Sequence, residues 1–492
     1  MRLDGAEQMV IWERDTGEEL MRYLDLDVWD AAQRPLEAWF ESGGPDEFAV
    51  VVDDTDAVYP LVIDPLTIRW TKVETQSGAN FGYSVSSVGN VASDAPGSGG
   101  VLVGAPYFDT GLVNAGKVFV FFSDTSSPPP TSPTWTKEGD QANAYLGEAV
   151  ANAKDVNGDG YADIIVGAPY FDSSGYSDDG RVYVFAGGPS NLGSTPLWQR
   201  DGGLSGAHLG MALVAADVND DSYSDVIIGA PDYSWSYSGC GAVFVHHGSS
   251  TGPGASANWW KAGLSYAARF GASVAGGNVN GNTFDDVLIG APTHDNYGVR
   301  GAAYLYLGGS SGLASSPATS WTGGAVGDYF GQSVALPGRV LNSDSSLGDV
   351  LIGAPYVDSG QTDEGKAYLY LGTASGAQTS ASWTDEGNEA NAHCGYSVAG
   401  GDMEKVSGGY AEVLIGVPHK DSLGNTDGGE GRYFRNTSGS LTLDTLCTAA
   451  APYSYAGFSV TYTLNLYYGQ AGIIVGAPGH QGYGGAQAYT KQ

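Results

Sequence analysis

The stretch LGEAVANAKDVNGDGYADIIVGAPYFD, residues 146–172, decides how the rest of the chain is read. Two short apolar runs bounded by Gly or Pro enclose a loop crowded with Asp, Asn and Gly. Its first landmark is a Gly-X-[Ser/Ala]-[Val/Leu] run, usually after a bulky residue. Six copies of it begin at Phe81-Gly82, Leu209-Gly210, Phe270-Gly271, Phe330-Gly331, Cys394-Gly395 and Ala456-Gly457. The second landmark is an apolar run ending in Gly-Ala-Pro, or Gly416-Val417-Pro418 in one copy. Its glycines are Gly104, Gly167, Gly229, Gly290, Gly353, Gly416 and Gly476, stepping by 63, 62, 61, 63, 63 and 60 residues. A near-constant period of this length marks a repeat array.

Each landmark has strand character. Short apolar runs between Gly and Pro suit strands buried on both faces. A third run alternates aliphatic and aromatic residues, as in Gly116-Lys117-Val118-Phe119-Val120-Phe121. That period of two, with β-branched and aromatic residues, also predicts a strand. A fourth is marked by Trp70, Trp135, Trp198, Trp260, Trp321 and Trp383, with Cys447 near the seventh place. Four strands in each of seven repeats give an all-β, seven-bladed β-propeller. The chain starts the array on a fourth strand, Thr67 to Lys72, and finishes on a third, Ala486 to Tyr489. Pairing these two would close the ring and leave no bare edge.

Composition narrows the function. The chain has 492 residues, 21 Lys+Arg and 55 Asp+Glu, for a formal net charge of −34. Such a charge repels nucleic-acid phosphates and anionic membrane surfaces. Seventy-five glycines and 11% aromatic residues fit short strands and tight turns rather than helices. Cys240, Cys394 and Cys447 lack metal-ligand spacing and are expected as small buried hydrophobes. No apolar run is long enough to span a bilayer. The N-terminal residues lack the basic and apolar regions of a signal peptide, so the N-terminus is expected to be incomplete. Residues 1–66 do not carry the repeat. They are expected to form a β-rich segment, the tail of a larger domain, with strands at Met9–Trp12, Phe48–Val52 and Tyr59–Ile63. Residues 67–492 form the propeller.

The Phe-Gly and Gly-Ala-Pro landmarks in units of about 60 residues resemble the FG-GAP repeats of the integrin α-subunit head. The resemblance covers residues 67–492. It implies a seven-bladed propeller, in agreement with the strand count. It also implies calcium loops on the lower face and ligand contacts on the opposite face.

The sharpest chemical motif is Asp155-Val156-Asn157-Gly158-Asp159-Gly160-Tyr161-Ala162-Asp163. Side-chain oxygens at positions 1, 3, 5 and 9, with the Tyr161 carbonyl at 7, match calcium's demand for six to eight oxygens. An EF-hand would need Glu at position 12, where Val166 stands. The second copy is Asp217, Asn219, Asp221, Tyr223 and Asp225, with Ser222 in place of Gly160. The third is Asn278, Asn280, Asn282, Phe284 and Asp286, where one carboxylate replaces three. Asp402, Glu404 and Glu412 surround an altered loop. Asn342, Asp344 and Asp349 fall out of register. The plain alternative is that Asp, Asn and Gly only build hydrogen-bonded turns.

After Gly-Ala-Pro come Tyr107 and Asp109, Tyr170 and Asp172, Tyr233, Asp295, and Tyr356 and Asp358. These open the loops from second to third strand, on the face opposite the calcium loops. They are the candidate ligand face, suited to a basic or carbohydrate partner. The alternative is that each Asp caps its turn and each aromatic packs between blades. The seven histidines are scattered, and no nucleophile elbow or zinc-protease motif is present. The expectation is an extracellular, calcium-binding adhesion module that is monomeric within a larger polypeptide. It would bind protein or glycan and would not be an enzyme. The competing expectation is a propeller-scaffold enzyme, such as a polysaccharide lyase, or an accessory domain of a hydrolase.

Overall fold

The computed structural model describes residues 62–490 except 75, 93–98, 124–128, 131, 190, 295–299, 403–409, 423–425, 438–439, 449–451, 468–469 and 483. Before them it describes 2–4, 9–13, 19–29, 38–44, 47–52 and 55. The chain is a seven-bladed propeller. Each blade is a four-stranded antiparallel meander. In blade 2 the strands are Val150–Lys154, Asp163–Ala168, Arg181–Phe185 and Trp198–Asp201. The first strands of all seven blades meet side by side around the axis. They line a channel of about 550 Å³ walled by small and branched residues such as Ala151, Val214, Ala275 and Val398.

Blade 7 is completed as the chain ends require. Strand Val62–Val73 pairs antiparallel with Gly485–Thr490, placing Trp70 opposite Ala488 and Thr67 opposite Thr490. The same strand pairs on its other side with Glu19–Trp29, followed by Met9–Glu13 and Arg2–Asp4. Residues 66 and 67 therefore lie inside one strand. Glu19–Trp29, the longest of these N-terminal strands, was missed in the sequence. Its Leu24-Asp25-Leu26-Asp27-Val28 alternation is the signal that marks it.

The motif glycines are explained by contact between blades. At each Gly-Ala-Pro glycine an added Cβ would overlap the carbonyl oxygen of the next blade's Phe-Gly glycine. The pairs run Gly104–Gly147, Gly167–Gly210, Gly229–Gly271, Gly290–Gly331, Gly353–Gly395, Gly416–Gly457 and, closing the ring, Gly476–Gly82. The Phe-Gly glycines all have φ between +81° and +94°, a conformation that a side chain strains. Ser84, Ser273, Ser333, Ser397 and Ser459 donate their hydroxyls to the same carbonyls at 2.7–2.9 Å.

Outer strands add a second tie. The indole N–H groups of Trp70, Trp135, Trp259 and Trp321 donate to carbonyls of the next blade at 2.9–3.2 Å. The structure corrects one landmark here. Trp259, not Trp260, opens the fourth strand of blade 3 and makes the tie. Successive strand residues face opposite ways, so Trp260 points to the other side. Cys240, Cys394 and Cys447 form no disulfide and are fully buried.

Replacing Gly229 with Ala is expected to cost about 3 kcal/mol or prevent folding, because backbone must move to admit the methyl group. Gly160→Ala, with φ +88° but open space around its Cα, is expected to cost about 1–2 kcal/mol. Urea denaturation of both variants checks the order.

Candidate functional site: metal loops below, an aromatic ring above

The three Asp/Asn loops join first to second strands and share one end of the propeller. In blade 2, Asp155 Oδ1 accepts the Gly158 amide at 2.6 Å and Oδ2 the Gly160 amide at 2.8 Å. Asn157 Oδ1 accepts the Asp159 amide, and Asp159 Oδ1 the Tyr161 amide, both at 2.9 Å. Asp163 is fully buried below them. Its oxygens accept the Val156 and Gly187 amides at 2.9 Å, tying the loop to the end of the third strand. Burial raises the Asp163 pKa to about 7 against these hydrogen bonds, with the Asp159 and Asp155 charges adding to the shift.

Blade 3 repeats the arrangement. Asp217 accepts the Asp221 and Ser222 amides, and Asp225 the Val218 and Gly248 amides. Ser222 takes the left-handed turn that Gly160 takes in blade 2, at φ +74°. Asn219 Oδ1 is shielded from water and has no hydrogen-bond partner. An oxygen left in that state among carboxylates fits a cation. Blade 4 differs, because Asn278 turns its amide nitrogen onto the Asn282 carbonyl. A donor stands in that loop where blade 2 has only Asp155 oxygens. Among the described residues, no three His, Cys, Asp or Glu side chains converge tightly enough by themselves to grip a metal.

Sequence reasoning missed that the last Asp of the loop is a repeat anchor. Asp163, Asp225, Asp286 and Asp349 all sit buried at the start of a second strand and accept amides from two loops. Asp349, expected out of register, occupies this common place. Asn342 instead donates to the Gly372 carbonyl at 2.8 Å. Glu412 is the buried acid in blade 6, and Glu404 lies outside the described residues.

On the upper face, side chains from two positions per blade interleave around the axis. One position follows Gly-Ala-Pro, and the other precedes the Phe-Gly pair. Tyr107, Tyr145, Tyr170 and His208 stand in succession with centroids 5.1, 5.1 and 4.5 Å apart. His208 Nδ1 meets Asp232 at 2.8 Å, and Asp232 pairs with Arg269 at 3.2 Å. On the far side, Tyr329, Tyr356, His393, His419 and Tyr455 follow at 4.7–5.0 Å. Burial and the His419 charge lower the His393 pKa to about 4. Tyr145, His208, Arg269, Tyr329, His393 and Tyr455 all have φ between +52° and +57°. They share the residue position just before the motif, which is the sequence signal that would have found them.

Residues after the Phe-Gly glycine form an inner tier. Tyr83 and Tyr396 flank Phe458, each at 4.9 Å. Glu148 hydrogen-bonds to the Tyr83 hydroxyl. Burial raises the Glu148 pKa to about 7, opposed by that bond and by the His208 charge. Tyr107, Tyr170 and Tyr356 thus reach the ring. Tyr233 does not, because Asp232 holds its place and Tyr233 packs edge-on to Phe244 at 5.5 Å. Asp109, Asp172 and Asp358 accept amides of Asn114, Asp178 and Asp363 at 2.7–2.8 Å and so cap their loops. Asp295 lies outside the described residues.

Residues 146–185, 209–246 and 270–306 match the family model described as FG-GAP repeat, and 322–370 match a second FG-GAP repeat model. The chain is a seven-bladed propeller in which blades 2 to 5 carry FG-GAP repeats. It is 35% identical over 222 residues to integrin alpha-4 of Xenopus laevis, across 44% of this chain and 20% of that protein. It is 37% identical over 171 residues to integrin alpha-PS2 of Drosophila melanogaster, across 32% and 12%. It is 30% identical over 306 residues to phosphatidylinositol-glycan-specific phospholipase D of Homo sapiens, across 57% and 35%. The chain thus spans 12–35% of the length of these relatives. Among the described residues no helix is long and apolar enough to cross a membrane.

Glu148 is easier to protonate folded than unfolded, so its ionisation opposes folding. Its part of the stability is present at low pH and is lost as pH rises from its ordinary value near 4.5 through about 7. Asp163 and Asp225, also raised to about 7, act in the same direction. Glu148→Gln is expected to remove about one proton from the fall in stability between pH 5 and 8. Urea midpoints measured across that range check it.

Proposed function

We propose that this FG-GAP propeller is an extracellular, calcium-stabilised recognition module whose upper face binds a basic segment of a protein partner. The observation that carries the reading is the ring of Tyr and His side chains surrounding Glu148. Aromatic faces are electronegative and attract Lys or Arg. A carboxylate beside them, held partly protonated by burial, ionises fully when a cation approaches, and the net charge of −34 steers cations toward the surface. The integrin alpha relatives support a binding role rather than catalysis. A second reading, in which the propeller is the accessory domain of a longer hydrolase, draws on the phospholipase D relative.

Calcium would be held in blade 2 by Asp155, Asn157, Asp159, Asp163 and the Tyr161 carbonyl. In blade 3 it would be held by Asp217, Asn219, Asp221, Asp225 and the Tyr223 carbonyl. The ion supplies charge neutralisation and no reaction chemistry. The Asn-rich loop of blade 4, with Asn278, Asn280, Asn282, Phe284 and Asp286, would hold it more weakly. Extracellular sites of this class work at about 10⁻⁴–10⁻³ M calcium, matching the proposed compartment.

Chelation is expected to lower the melting temperature by about 3 °C or more, and Asp159→Ala to remove much of that difference. Coincident melting curves with and without chelator would refute the calcium reading. An Arg-containing peptide is expected to bind the upper face in calorimetry, and Glu148→Gln to weaken it about tenfold or more. Equal affinity for the variant would remove Glu148 from the site.

A further inference from the structure

A repeat protein shows where it departs from its own rule. In blades 1, 2 and 5 the third strand opens on a cation whose cross-strand partner is an acid. The pairs are Lys117–Glu138, Arg181–Asp201 and Lys366–Glu386. Each cation also lies 5.3–5.9 Å from the aromatic ring two residues further along, namely Phe119, Tyr183 or Tyr368. A charge pair thus borders that ring on the outer flank of the blade.

Blade 3 has Ala242 opposite Ala262 at these two positions, so its flank has no such pair. The aromatic is retained as Phe244. Its cross-strand neighbour is Thr136-, Gln199- or Thr384-like in the other three blades, but here it is Trp260. The Trp260 ring lies beside Phe244 at an interplanar angle of 17°, and the residue is 42% exposed. Trp235, from the upper loop of the same blade, is 64% exposed and stands across Trp260 at 82°, with centroids 5.3 Å apart. The two indoles form an open right-angled corner. Blade 4 also lacks the charge pair, with Ala302 opposite Thr322, yet it places Ser320 beside Tyr304 and gains no indole there.

A cation from the neighbouring blade covers Phe244, the ring beside which Trp260 lies. Arg200 of blade 2 lies over the Phe244 ring at 4.3 Å and contacts His246 Nε2. The other His246 nitrogen, Nδ1, is 2.7 Å from the Gly254 carbonyl. Among the described residues Arg200 has no carboxylate partner, in a chain with 55 acidic residues, and its shielded Nε has no acceptor. Blades 1, 2, 4 and 5 all manage without a Trp at this position, so the fold does not require it.

We infer that the outer flank of blade 3 is a carbohydrate site, in which a neutral pyranose ring stacks in the Trp235–Trp260 corner. A pyranose has an apolar C–H face and a polar rim. That division matches two flat, exposed indole rings meeting at a right angle. A polyanion would meet the net charge of the chain, and no carboxylate is shown at the corner to hold a cationic ligand. A protein partner needs on the order of 1,000 Å² of interface, far more than two rings offer. This site is separate from the upper-face ring in place and in ligand.

The test is a glycan array carrying neutral and uronate-containing oligosaccharides, probed with the full chain, Trp260→Thr, Trp235→Ala and, as a control, Val326→Ala at an exposed residue outside both sites. Trp260→Thr restores the residue found at that position in blades 1 and 5, so the blade is expected to keep its fold. The full chain is expected to retain at least one neutral glycan. Both Trp variants are expected to lose about tenfold or more in affinity, and Val326→Ala to bind as the parent does. Retention of no neutral glycan by the parent would overturn the inference. So would unchanged binding by Trp260→Thr, or retention of uronate glycans alone. Failure of the peptide test above, with glycan binding intact, would leave this site standing.

Discussion

The structure depends on one close approach, the Phe-Gly carbonyl of one blade resting on the Gly-Ala-Pro glycine of its neighbour. It occurs at all seven junctions, including the junction between blade 7 and blade 1. Neither glycine can gain a side chain, one for lack of space and the other because of its left-handed backbone. Blade spacing is therefore set by backbone rather than by side chains of varied size. That explains how blades with Phe81, Leu146, Cys394 or Ala456 at the same motif position still form one regular ring. The apolar clusters between blades fill around this frame instead of defining it.

The same frame generates the upper face. Holding the Phe-Gly carbonyl outward turns the preceding residue into the left-handed region in every blade. Non-Gly residues accept that conformation only under constraint. The constraint aims Tyr145, His208, Tyr329, His393 and Tyr455 at the residues that follow Gly-Ala-Pro in the neighbouring blade. Structural repetition thus yields a ring of side chains, while sequence variation within it sets its chemistry.

Legibility in the sequence follows from these physics. Blade number and closure were legible because glycine spacing reports backbone contacts that cannot drift. The Asp/Asn loops were legible because alternate oxygens in a tight turn leave a composition signature. The ring was only half legible. Tyr107, Tyr170 and Tyr356 follow a fixed motif, whereas no residue type announces the left-handed position in Tyr145 or His393. Tyr233 was misread because its motif is displaced by one residue, which moves the side chain into the blade interface. Trp260 was misread for a related reason. In a strand, a shift of one residue reverses the face, and two adjacent tryptophans offer both choices. Asp349 was passed over because its loop is longer, although its buried end is unchanged.

Closure through Val62–Val73 has a consequence for biogenesis. Trp70 leaves the ribosome some 400 residues ahead of Ala488, its partner across the strand pair. At about 5–20 residues per second that is a wait of roughly 20–80 s. Throughout it, blade 7 does not exist and blade 1 has a naked neighbour. The early strand carries unpaired amides and carbonyls that would accept any passing β-edge. Before Ala488 emerges, its far edge can be occupied by Glu19–Trp29, already synthesised and antiparallel to it. The N-terminal sheet can therefore serve as a holding partner during synthesis, leaving one side of the strand for the last residues to claim.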